Sequence, residues 1–221
     1  MRGKGNEVTK QDLYTIGVQA AQEFLSLNGL KDPRFSTYEE ATQHSDKWDS
    51  RGLKAADFLR RVVRMDGRTV GSGTGLYYDG HVFVNVPRTA VPVQKPAMRS
   101  WSWPGWKTDR TCVGVCAHET GHFLVHALTL NMQHWRTALE MHPKKPISGY
   151  APTAEEQFAE TARLFITNPD LLRRAVPWRY AWLTEVAELV PVQRLLRKGW
   201  RKVLGNPAYD AAAERWIGVS H

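Results

Sequence analysis

The chain has 221 residues, 42% of them apolar, which suffices to bury a sizeable core and to form one domain with helical additions. Its formal net charge of +8 admits acidic or nucleic-acid partners. No stretch is long and apolar enough to span a membrane, and neither internal repeats nor low-complexity segments interrupt the chain.

The opening residues Met1 to Val8 lack an apolar run, so no secretory signal is expected and the reading is cytoplasmic, in a host cytoplasm or a carried particle. Thr9-Lys-Gln-Asp12 is a capping-box pattern for a helix running to about Asn28, with Gly29 as its stop. Ser36-Thr-Tyr-Glu39 offers a second box for a short helix, and Lys54 to Val63 reads as helix, with strand allowed by its valine pair. Residues 1–70 are thus expected to be mainly helical.

Gly75 to Val86 reads as a hairpin, because Asp79-Gly80 is a favoured two-residue turn between β-rich runs. His81 to Val86 is the candidate for an edge strand able to bind an extended peptide, with Val82, Val84 and Val86 on one face. Pro87 to Lys107 is too proline-rich for regular structure and reads as a long loop. Its Trp101, Trp103 and Trp106 suit a substrate-facing lid or a protein contact.

Cys112 to Leu130 is apolar nearly all the way round, the mark of a buried helix, yet it carries His118-Glu119-Thr-Gly-His122. Residues four apart share a helix face, so both imidazoles can converge on one metal with Glu119 beside them. Burying three such side chains together is costly unless a metal or partner satisfies them. Gly121 suits a helix that another element approaches closely. Cys112 and Cys116, one turn apart, are poorly placed for a mutual disulfide and read as buried thiols.

A catalytic zinc site needs a third protein ligand and an open fourth position. The downstream candidates are His126, His134, His142, Glu155, Glu156 and Glu160. The metzincin position, six residues after His122, holds Leu128, and His126 lies too far round the same helix. Thr153-Ala-Glu-Glu156 begins a further helix, in which Glu156 can simply bond back to the start as a capping-box partner. On that helix Glu155 lies nearest the centre of the apolar face of Phe158, Ala159, Ala162 and Ile166, so periodicity leans towards Glu155.

An HExxH helix followed by a helix with Glu156-Gln-Phe-Ala-Glu160, and a tyrosine shortly before it, resembles the gluzincin metallopeptidases. The likeness is greatest to the compact type that includes the catalytic domain of anthrax lethal factor and lethal-factor-like peptidases of bacteria and phages. It covers roughly residues 76 to 169. It implies an α+β, zincin-like core in which a small mixed sheet with an edge strand adjoins the HExxH helix and the glutamate helix. The edge strand in that family lies antiparallel to the substrate. The resemblance further implies Zn2+ held by His118, His122 and Glu156, with Glu160 orienting a zinc-bound histidine. Tyr150 would stabilise the oxyanion. The expected reaction is peptide-bond hydrolysis with Glu119 as general base, on a protein or peptide substrate.

Asn168-Pro-Asp170 should end the glutamate helix and start another, followed by helices broken at Pro177, Pro191 and Pro207. The organisation expected is one domain over 1–221, with a catalytic core at 71–170 and a helical cap at 171–221. Arg194, Arg197, Lys198, Arg201 and Lys202 form a basic face on an amphipathic pattern, a possible contact for nucleic acid. Two other classes compete with the gluzincin reading. One is a DNA-associated protease of the SprT type, with His134 or His142 as third ligand. The other is a non-catalytic nucleic-acid or particle-assembly protein on a zincin scaffold.

Overall fold

The structure, a computed structural model, describes residues 9–64, 74–89, 110–142 and 153–192. Its first helix, α1 (Lys10–Leu27), starts where the sequence places it. Asp12 N–H donates to Thr9 Oγ1 at 3.1 Å and Thr9 N–H to Asp12 Oδ2 at 2.9 Å, so two orphan donors of the first turn are satisfied. Leu13, Gly17, Ala20, Phe24 and Leu25 recur at helical spacing and are buried, which gives α1 the face that packs on the HExxH helix.

The next element, β1 (Arg34–Thr37), was not expected. Because Ser36 is used by this strand, opposite Phe83, the helix that follows is capped one residue later than the pattern Ser36 to Glu39 suggests. Thr37 is the cap of α2 (Tyr38–Gln43), and Glu40 completes its box, accepting from Thr37 N–H at 2.7 Å. A short 3-10 turn (Ser45–Lys47) leads to α3 (Ser50–Arg64), helical as expected but begun four residues earlier. Asp49 Oδ1 accepts from Gly52 N–H at 2.7 Å, which accounts for the earlier start.

The hairpin forms as read. β2 (Gly75–Tyr78) and β3 (His81–Val84) pair antiparallel, with Tyr78 opposite His81 and positive φ at both Asp79 and Gly80. The edge assignment is corrected, because β3 is central and β1 pairs with it in parallel on its other side. The reason lies in the side chains: Val82 and Val84 join the main core while Phe83 packs with Ala55 and Leu59 of α3. A strand apolar on both faces belongs between neighbours, not at a rim. Val86 has already left the strand for a 3-10 turn (Val86–Arg88). Among the described residues the terminal strand on the hairpin side is β2.

The HExxH segment lies on α4 (Cys112–Ala127), capped by Thr111 and ending at Leu128, two residues short of expectation. α5 (Met132–Met141) and α6 (Ala154–Thr167) follow. α7 (Pro169–Ala175) and α8 (Pro177–Ala181) each begin on a proline, where the missing N–H costs nothing, and a π-helical turn (Trp182–Val186) extends α8. The fold is mixed α+β, mostly helical, with one small mixed sheet.

Two relationships position the site. α4 covers the sheet face opposite α3. α4 and α6 pack so closely that a Cβ on Gly121 would lie 2.7 Å from Ala159 Cα, closer than any real contact. The expected close approach at Gly121 is therefore that of α6. Leu172, Val176, Trp182 and Leu183 share the core of α1, α4 and α6, so this part of the C-terminal segment packs into the main core. Cys112 and Cys116 are buried thiols with no disulfide between them, and Cys112 Sγ lies 3.1 Å from Thr89 Oγ1. Among the described residues no helix is long and apolar enough to cross a membrane. Trp101, Trp103, Trp106 and the basic run from Arg194 to Lys202 lie outside the described residues.

Candidate metal centre

His118 and His122 project from one face of α4, with ring centroids 5.0 Å apart and their Nε2 atoms separated by 3.2 Å. From α6, Glu156 meets this pair, its Oε2 3.1 Å from His118 Nε2 and its Oε1 3.7 Å from His122 Nε2. Ligand atoms of the three residues lie within 4.8 Å of one another, and the group could hold a metal ion. Glu156 Oε2 is buried and faces His118 Nε2, so it is satisfied only when a proton or a cation lies between the two atoms.

The competing role for Glu156 is only half realised. Thr153 Oγ1 does accept from Glu156 N–H at 3.2 Å, but the carboxylate points to the two histidines and not back to the cap. The periodicity argument for Glu155 is overturned: its side chain is 42% exposed and pairs with Arg136 of α5. Glu155 sits in the first turn, where α6 has only begun to bury itself against α4, and an arginine on α5 draws it outward.

Behind the cluster, Glu160 has no exposed surface and its Oε1 lies 2.8 Å from His118 Nδ1. With Nδ1–H directed at Glu160, Nε2 is the atom that His118 presents to Glu156 and His122. Arg163, 2% exposed, grips Glu160 in turn with two hydrogen bonds of 2.9 Å. Glu119 lies on the sheet side of α4, 8% exposed, with its carboxylate against Gly75 and near the backbone of Tyr77 on β2.

These contacts set the charges. Burial presses His118 towards its neutral form, but the hydrogen bonds that its ring donates to Glu156 and Glu160 outweigh it and hold the imidazole up at about 10. Burial likewise opposes ionisation of Glu156, yet His118 and His122 bring it down to about 2. For Glu160 the burial cost is overcome by Arg163 and His118, which keep it well below the ordinary carboxylate range. Glu119 goes the other way, raised mainly by burial against the pull of the two histidines. With neutral imidazoles, three buried or half-buried carboxylates face one guanidinium, leaving two negative charges uncompensated within the cluster. Protons or a dication can supply that balance.

The other candidate ligands stand apart. His126 is exposed and borders the ring of Tyr77 at 5.5 Å. His134 is exposed on α5, and His142 stacks on Trp178 at 4.6 Å. Neither histidine joins the group of His118, His122 and Glu156, so the geometry does not support a SprT-type third ligand at either position. Tyr150 lies outside the described residues.

Two participants escaped the sequence reading. Arg163 could have been found, since Glu160 and Arg163 are three apart on one helix and a buried carboxylate needs a counter-charge. Gly75 carried no signal: a Cβ there would lie 2.6 Å from Glu119 Oε1 and 2.5 Å from Val115 Cγ1. The chain matches no protein-family model, no curated protein and no solved structure.

Proposed function

We propose that the protein is a zinc-dependent endopeptidase of gluzincin-like design. The observation that carries this reading is the convergence of His118 Nε2, His122 Nε2 and the Glu156 carboxylate, within 4.8 Å, from two helices locked together at Gly121. Tetrahedral zinc with ligand distances of about 2.0 to 2.1 Å separates its donors by about 3.3 Å. The separations of 3.2, 3.1 and 3.7 Å among these residues lie close to that value. The burial of Glu156 Oε2 opposite His118 Nε2, and the two negative charges that neutral imidazoles would leave, also fit a dication. Two imidazoles and a carboxylate are a donor set suited to zinc.

Zinc in such a site supplies a Lewis acid that lowers the pKa of its bound water and polarises a peptide carbonyl. The residues of this chain do the rest. His118, His122 and Glu156 hold the ion, and Glu160, itself neutralised by Arg163, fixes the tautomer and ring plane of His118. Glu119, set against β2 at Gly75 and raised by burial, takes a proton from the attacking water at its carboxylate and returns it to the leaving amine nitrogen. Tyr150 keeps the role of oxyanion donor that the resemblance implies.

The substrate on this reading is an extended peptide. Among the described residues β2 is the terminal strand on the site's side, and Glu119 touches it at Gly75. Asn85 N–H bonds Thr74 O at 2.9 Å, so by the alternation of an antiparallel ladder the peptide groups of Gly75 and Tyr77 point away from β3. These outward groups suit strand addition. The test is hydrolysis of a mixed peptide library followed by mass spectrometry. Cleavage by the wild type, blocked by a chelator and reduced about 10²- to 10⁴-fold in Glu119→Gln with zinc retained, is expected. Undiminished cleavage by Glu119→Gln would remove the reading.

A further inference from the structure

α3 is the most one-sidedly charged element among the described residues: its fifteen residues include five basic side chains and one acid, Asp57. Its apolar side, with Ala55 and Leu59, lies on the sheet face that carries Phe83, Leu76 and Tyr78. Phe58 stacks on Tyr78 with centroids 3.9 Å apart, which fastens the helix to the last residue of the terminal strand. Beside that stack opens a groove of roughly 460 Å³ lined by Lys54, Asp57, Arg60, Arg61 and Tyr78. Arg60 bonds Asp57 at 2.8 Å and so accounts for the only acid in the lining. Lys54 and Arg61, both exposed, leave the groove with an excess of positive charge.

The position of this groove relates it to the metal centre. Gly75, against Glu119, and Tyr78, in the groove wall, are the two ends of β2, about 10 Å apart at 3.3 to 3.4 Å per residue. Side chains of a strand added to β2 would point alternately to the α4 face, where Glu119 lies, and to the α3 face, where the groove opens. For an added strand antiparallel to β2, residues near Tyr78 precede the bond presented near Gly75.

We infer that the groove lined by Lys54, Arg60 and Arg61 is a specificity site that takes an acidic side chain of the substrate, two to four residues before the scissile bond. This deepens the peptidase reading and rests on it for the direction of the chain. The carboxylate preference rests on the groove alone. Charge and size favour a carboxylate: two cations that pair with no acid among the described residues flank a space open enough for a Glu or Asp side chain and its water. The main-chain pairing along β2 would supply affinity, and the groove would supply selection between side chains.

The test separates the two readings by measuring binding without turnover. Full-length protein carrying Glu119→Gln is titrated into three fluorescein-labelled eight-residue peptides, identical except for Glu, Gln or Lys at two central positions. Fluorescence anisotropy should give Glu the tightest binding, about fivefold or more over Gln, with the difference shrinking as salt rises. Adding Lys54→Glu and Arg61→Glu, both on the exposed helix surface, should invert the order in favour of Lys. Equal binding of the three peptides, or a Glu preference that survives the double reversal, would overturn the inference. A twelve-nucleotide single strand that binds through Lys54 and Arg61, while the peptides are not discriminated, would overturn it too and assign the groove to nucleic acid. Absence of cleavage by the wild type bears on the peptidase reading, whereas absence of discrimination bears on the groove.

Discussion

His118 Nδ1 lies 2.8 Å from Glu160 Oε1, and neither group reaches bulk water easily, with Glu160 wholly buried and His118 7% exposed. The pair joins the two helices that carry the metal-binding group, and Arg163 closes it from behind. Glu160→Gln keeps the shape but removes the charge that makes Nδ1–H its donor. Zinc affinity should fall about 10- to 100-fold in a competition titration against a chromophoric chelator. Arg163→Gln should act in the same direction through Glu160. Unchanged affinity in both variants would show that the pair serves packing alone.

Gly75→Ala puts a methyl group where Glu119 Oε1 now stands, 2.6 Å from the ideal Cβ. The carboxylate must move, while His118, His122 and Glu156 lie elsewhere on α4 and α6. The expected result is a protein with its full zinc content and peptide hydrolysis reduced about 100-fold or more, as for a displaced general base. Hydrolysis at the wild-type rate would argue that Glu119 does not need its present place.

Gly121→Ala should instead harm the fold. The new methyl group meets backbone, Ala159 Cα at 2.7 Å and Ala159 O at 3.0 Å, so α4 and α6 have to separate. Overpacking of this kind costs about 1 to 3 kcal/mol, measurable by urea denaturation. Since α6 carries Glu156, zinc should be lost in parallel with stability.

The pH dependence of stability should differ between metal-free and zinc-loaded protein. Without metal, His118 is held up at about 10 in the folded state against about 6.5 when unfolded. Its contribution is therefore complete below about pH 6.5 and disappears as pH rises through about 10. Chelator-treated protein should lose stability over that window. Zinc-loaded protein should not, because a histidine bound to metal carries no proton on Nε2 to release. Parallel melting curves from pH 6 to 10 check this, and identical slopes would contradict it.

Asn28 links the end of α1 to the C-terminal segment, its Nδ2 donating to Val190 O at 3.0 Å and its Oδ1 accepting from Val190 N–H at 2.7 Å. Asn28→Ala should cost about 1 to 3 kcal/mol in urea denaturation, from the loss of both bonds to Val190 and of the bond from Asn28 Nδ2 to Phe24 O. No change in zinc content is expected.

What the sequence made legible, and what it hid, follows from the range of the forces involved. The capping box at Thr9 and Asp12, the Asp79-Gly80 turn and the spacing of His118 and His122 are local, and each appears as read. The central place of β3 depends on β1, whose four residues Arg-Phe-Ser-Thr lack a strand signature and gain their pairing only from the neighbour. Glu155 and Glu156 differ by one position on a helix, and the choice between them is made by Arg136 on another helix. The contact of Gly75 with Glu119 joins residues 44 apart in the numbering, and no periodicity announces it.

The central claim is that His118, His122 and Glu156 together hold one zinc ion. Elemental analysis of wild type, Glu156→Ala, Glu155→Ala and His142→Ala, purified side by side, tests it most directly. The account predicts one zinc per chain in the wild type, in Glu155→Ala and in His142→Ala, and a loss confined to Glu156→Ala. A wild type that stays free of zinc after reloading, or a Glu156→Ala protein that keeps its zinc while His142→Ala loses it, would contradict the account.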